Sequence, residues 1–160
     1  EKVDAGQLFL ATGNALDILG DAIDSDMVPR IEGLGLLPTQ AEYHMMRRHN
    51  SYYVGKFGDM DIVGFKSLFG HSHGVGEALF DTVKGVGRDG QEGSGEGFRR
   101  CGLMATYLIG PLLILNPPLC KWLLREMGAA SDALAFEEAA MDSYQKRVAE
   151  FLEPGRNWKY

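Results

Sequence analysis

Cysteine is nearly absent: Cys101 and Cys120 are the two in 160 residues, and no CxxC pair occurs. That rules out a disulfide framework and the paired thiols of a zinc ribbon. Both cysteines sit in an apolar run and are expected as small buried thiols. Basic charge is short as well. Sixteen Lys and Arg stand against 22 Asp and Glu, a formal charge of −6, whereas a general nucleic-acid binder needs a positive footprint to displace counterions from phosphates. No nucleic acid is therefore expected as a partner, and the pairs Arg47–Arg48 and Arg99–Arg100 read as solvated faces. Charge of either sign is missing between Arg100 and Lys121. Internal repeats are lacking, as is any G-x-x-x-x-G-K-S/T phosphate loop.

What remains is a chain that can fold. Charged residues at 24% and hydrophobic ones at 45% speak against wholesale disorder. The length predicts one domain over 1–160. Glycine is abundant, 21 of 160, which implies short or closely packed elements or long loops.

Periodicity and punctuation predict a mainly α fold: short helices separated by Gly/Pro-rich loops, with one all-round apolar, proline-broken segment. Asp4 with Gln7 and Thr39 with Glu42 have the capping-box spacing. Leu8, Leu16, Leu19 and Ile23 follow the first at helical spacing, and Ala41, Met45 and Tyr52 follow the second, with Gly55 and Gly58 as its stop. The stretch 61–69 fits a helix or a strand, and Val75, Leu79 and Val83 suggest a helix over 75–84. The run GVGRDGQEGSGEG at 85–97 reads as a flexible, exposed linker. Proline at the first turn predicts a helix over 118–127, and a stripe of Ala133, Phe136, Ala140, Tyr144 and Phe151 predicts another over 132–152, stopped by Pro154-Gly155.

Three patterns carry chemistry. GHSHG at 70–74 has the G-x-S-x-G form of a nucleophile elbow. It locally resembles the α/β-hydrolases, which implies Ser72 as nucleophile. In that family the triad runs serine, acid, histidine, and no histidine follows His73 here. GVGRDG at 85–90 has the G-x-G-x-x-G form, but it is not placed between a strand and a helix, so it counts as composition. His44 and His49 are five apart, about 140° around a helix, and do not converge on a metal. Each could still be the single axial ligand of a porphyrin-type pigment. His71 and His73 flank one residue and are candidates for metal chelation.

The run 101–120 would span about 30 Å if helical, as a bilayer core requires. Pro111, Pro117 and Pro118 break it. An apolar segment without a polar face needs covering on every side, by the chain's own core, by a membrane surface or by another subunit. Leu108, Ile109, Leu112, Leu113, Leu115 and Trp122 are the expected partner or membrane contacts. The function these features favour is a non-catalytic structural or interaction subunit of a larger, membrane-associated assembly, in contact with other protein subunits and carrying pigment or another cofactor. An organelle, chloroplast or mitochondrion after removal of a targeting segment, is its expected home. The alternatives are a helical carrier of a lipid or other hydrophobic ligand, and a small serine hydrolase using Ser72.

Overall fold

A computed structural model describes residues 1–157 and 159. In chain order the elements are β1 (Phe9–Thr12), α1 (Ala15–Leu19), β2 (Ala22–Ser25), β3 (Ile31–Glu32), β4 (Thr39–Tyr43), β5 (His49–Phe57), β6 (Met60–Leu68) and β7 (Gly70–Gly74). They continue with β8 (Asp81–Lys84), β9 (Phe98–Arg100), β10 (Leu103–Thr106), α2 (Leu112–Leu115), α3 (Pro117–Glu126) and α4 (Glu137–Leu152). The chain is mostly β, and the expectation of a mainly α, all-helical protein is wrong. Only the last two helices stand where periodicity placed them, at 117–126 and 137–152.

The reason is visible in the stripes that suggested helices. Val75 and Val83 are exposed while Leu79 is buried, so those three share no face. In β4 the exposure alternates, with Thr39 and Ala41 buried and Gln40 and Glu42 exposed, the period-2 signature of a half-buried strand. Gly55, read as a helix stop, lies inside β5, where a Cβ would fall 2.8 Å from the Asp81 carbonyl oxygen, and Gly58, the other, makes the β5–β6 turn with φ of +57°. A Cβ on Gly64, in the middle of β6, would lie 3.2 Å from the Leu108 side chain.

A ring of pairings makes a small, irregular barrel. β10 pairs with β9, and bridges Phe80–Glu96 and Glu77–Arg99 join that region to the chain before β8. β8 pairs with β5, β5 with β6 in a nine-residue antiparallel hairpin, and the bridge Phe65–Ile109 returns to the chain just past β10. Side chains fill the interior, as in other small barrels: Tyr53, Ile62, Phe80 and Leu108 are all buried in one cluster. β1 runs parallel to β10. A second sheet, ordered β3-β2-β4-β7, packs beside the ring through α1.

α4 covers the outer face of β5 and β6. Its Phe151 ring stacks on Tyr52 at 4.7 Å, and Val54, Val63, Leu115 and Tyr144 complete that cluster. Asn116, fully buried at the α2–α3 junction, accepts from the Val63 amide and donates to the Val63 and Leu112 carbonyls, each at 2.8 Å. This pins the helical end of the chain to β6. Phe136, expected in the α4 stripe, instead stands exposed ahead of the helix.

The glycine-rich stretch 85–97 is no exposed linker. Its backbone folds on itself (Gly87 N to Gln91 O, Arg88 N to Gly95 O), and Arg88 O accepts from the Ser72 amide of β7. Val86 and Glu96 are buried. Glycine is needed because the turns approach so closely; a Cβ on Gly87 would fall 2.2 Å from the Ser94 carbonyl oxygen.

Candidate functional site

Ser72 lies mid-strand in β7, opposite Ala41. Neighbouring side chains on a strand point to opposite faces, so Ser72 turns inward while His71 and His73 turn away. Its hydroxyl is fully buried, donates to Asp17 Oδ1 at 3.0 Å and lies 2.7 Å from the Tyr107 hydroxyl. Tyr107 also donates to Asp17 Oδ1, and Tyr43 donates to Oδ2 at 2.5 Å. Burial pushes the Asp17 carboxyl above its usual range, and the three hydroxyls pull the other way without cancelling it. A nucleophile elbow needs an exposed serine on a strained turn with a histidine beside it. Here the serine is a buried strut of a carboxyl–hydroxyl network. Ser72→Ala is expected to cost about 1 kcal/mol in a urea melt and to leave any ester turnover unchanged; lost turnover at unchanged stability would reinstate the nucleophile.

His44 follows β4, His49 opens β5, and His71 and His73 lie on β7. His44 Nε2 is 3.2 Å from Glu42, and Nδ1 is 3.9 Å from Asp26. The His49 and His71 rings meet edge to face at 5.6 Å, and His49 Nε2 is 2.9 Å from the Ser51 hydroxyl. His71 stands across from Glu42, and His73 across from Gln40. Burial, with His49, Lys66 and His73 nearby, holds His71 down to about 4, and burial also lowers His49. The His71 Nδ1 atom is buried with no hydrogen-bond partner among the described residues. Among the described residues no group of three or more His, Cys, Asp or Glu is arranged to hold a metal ion, so the His71–His73 pair belongs to no such group. The depression next to His73 is small, about 290 Å³, and walled by Asp24, Gln40 and Glu42. A macrocycle wants apolar walls, and this depression has polar ones.

The thiols are also not both buried: Cys101 is exposed on the β9–β10 turn, and Cys120 is half-buried on α3.

Six apolar residues were expected to meet a partner or a membrane, and the structure splits them. Leu108, Leu112 and Leu115 are buried in the protein's own core, and Trp122 packs edge-on against Phe57 at 4.8 Å. Ile109 and Leu113 remain 36% exposed. Beside them Ile114, which was not singled out, is 75% exposed. The chain leaves β10, turns at Gly110 with φ of +72° and enters the single turn of α2, which lifts Leu113 and Ile114 into a ridge. On one side of the ridge lies an apolar depression of about 460 Å³ with Leu10, Thr12 and Pro111 in its wall. On the other lies one of about 220 Å³ with Pro117, Leu134 and Ala140. Leu113 and Ile114 line both. A ridge between two apolar hollows offers a surface that can interdigitate with another protein. Its sequence signal was the four-residue LLIL: only a helix of one turn bounded by proline would leave half of such a run outside.

Compared with known proteins, the chain matches no protein family and no curated protein.

Proposed function

We propose that this protein is a non-catalytic interaction subunit of a larger assembly, docked through the α2 ridge. The observation that carries the reading is Ile114, a large aliphatic side chain 75% exposed at the crest between two apolar hollows. Scattered single apolar residues need no explanation, but a contiguous apolar relief does. The membrane-associated version of the reading sets the same ridge against lipid at the edge of a membrane-bound complex. No helix among the described residues is long and apolar enough to cross a membrane. Hollows on both sides of a crest favour a protein partner, whose side chains can fill them. The carrier alternative finds less support, because side chains occupy the barrel interior.

The test is the native mass of the protein purified from its source in mild detergent, together with that of Ile114→Asp. The wild type is expected in a particle several times its own mass, and the variant as a monomer whose urea midpoint shifts by less than about 0.5 kcal/mol equivalent. A wild type that is monomeric and stays in solution without detergent would overturn the proposal, as would an Ile114→Asp variant that remains fully assembled.

A further inference from the structure

Another concavity, independent of the α2 ridge, opens at the barrel end formed by the β5–β6 hairpin. It measures about 630 Å³ and lies between the hairpin tip, residues 77–81, Arg99 on β9 and α3. Its apolar part includes Phe57 and Trp122, whose rings stand at 75° and so form an aromatic corner.

The charged groups around this cleft differ in whether they are already paired. Lys56 is held by Asp61 at 2.7 Å, and Arg125 by Asp132 at 2.5 Å. Asp59, Glu77 and Asp81 line the cleft with no ion-pair partner for their carboxylates among the described residues. Among the described residues Arg99 is the single cation lining the cleft without a carboxylate in ion-pair range, although Glu77 is its neighbour across the bridge. Its guanidinium lies over Phe57, 5.6 Å from the ring centroid. The chain thus already places one cation of its own against the aromatic corner. Three unpaired carboxylates against one guanidinium make the cleft repel anions and attract cations, and the overall charge of −6 steers in the same sense.

We propose that this cleft is a binding site for a small organic cation of the alkylammonium class, seated against Phe57 and Trp122 and balanced by Glu77 and Asp59. The ring faces attract the charge through their quadrupoles, and the carboxylates neutralise it without a desolvated partner of their own to surrender. Arg99 competes for the same place.

Three probes of one shape separate charge from bulk: choline, its uncharged analogue 3,3-dimethylbutanol and the anion 3,3-dimethylbutyrate, each titrated into the full-length protein and followed by calorimetry and NMR. Choline is expected to bind at least about tenfold more tightly than the other two, with shifts at the Trp122 indole and the Phe57 ring. Glu77→Gln and Trp122→Ala are each expected to weaken choline, and Arg99→Gln to strengthen it. Glu77 is exposed, so its variant keeps the fold even if that of Trp122 does not. Equal binding of the three probes, preference for the anion, no choline binding up to about 50 mM, or choline affinity unchanged in Glu77→Gln would each overturn the site.

Discussion

Lys66→Met is expected to lower the unfolding free energy by about 3–5 kcal/mol, the range for removing one partner of a buried ion pair. Lys66 sits on the inward face of β6 and has no exposed surface, and neither has Glu96. Its ammonium donates to the carbonyl oxygens of Val86 at 2.7 Å and Gly87 at 2.8 Å, and to Glu96 Oε2. The other oxygen of Glu96 accepts from the Thr106 hydroxyl and the Tyr107 amide, both at 2.8 Å. Burial pushes the lysine pKa down, and Glu96 pulls it up. Taking the ammonium away leaves a carboxylate in the barrel interior with two neutral donors, and strands two carbonyls of the 85–97 stretch. The pair therefore ties that stretch to the ring. In a double-mutant cycle with Glu96→Leu, the two losses should fall short of additivity by about 1–3 kcal/mol. Denaturant midpoints at constant slope measure both; a single-variant cost below about 1 kcal/mol would show that the pair does not bear on stability.

The second large effect centres on Asp17. Asp17→Ala takes the shared acceptor from the buried hydroxyls of Ser72 and Tyr107, which keep their mutual contact, and from that of Tyr43, for an expected loss of about 2–4 kcal/mol. Asp17→Asn keeps the shape and part of the bonding, and isolates the charge. The folded protein holds this carboxyl above its ordinary value of 3.8, so it binds the proton more tightly than the unfolded chain does. Its contribution is fully present below 3.8 and declines as pH rises through the folded value. The stability of Asp17→Asn relative to wild type should therefore improve as pH climbs from about 4 towards 7. Unfolding curves of the two proteins across that interval decide it. A difference that stays flat, or that moves towards the wild type, would place the carboxyl outside the low-dielectric network the geometry describes.

The two C-terminal helices were legible because α3 and α4 carry their own signals: proline at the first turn of one, and Tyr144 and Phe151 at helical spacing on the other. The strands were not. A spacing of four, as between Val75, Leu79 and Val83, suits a helix, yet only Val83 lies in a strand and the three share no face. Glycine misled in the same direction. At Gly55 it makes room for a close approach of the neighbouring strand, and within 85–97 it marks tight folding, yet in a single sequence the first looks like a stop and the second like a linker. The GHSHG motif failed because an identical local pattern sits in a flat strand instead of a turn, and only the pairing of β7 with β4 shows which.

The buried polar pairs lay beyond reach for another reason. Lys66 and Glu96 are 30 residues apart, and Asp17 and Tyr107 are 90 apart. Nothing local distinguishes a lysine on the inner face of a strand from one in solvent until the strand's inner face is known. The sequence alone determined the charge balance, the scarcity of thiols and the apolar character of the run 101–120, since these are properties of the residues themselves. The tertiary structure decided which part of that run covers itself and which part is left as a ridge. Burial is a relation between distant segments, and Leu112 and Ile114, two positions apart with the same chemistry, end on opposite sides of it.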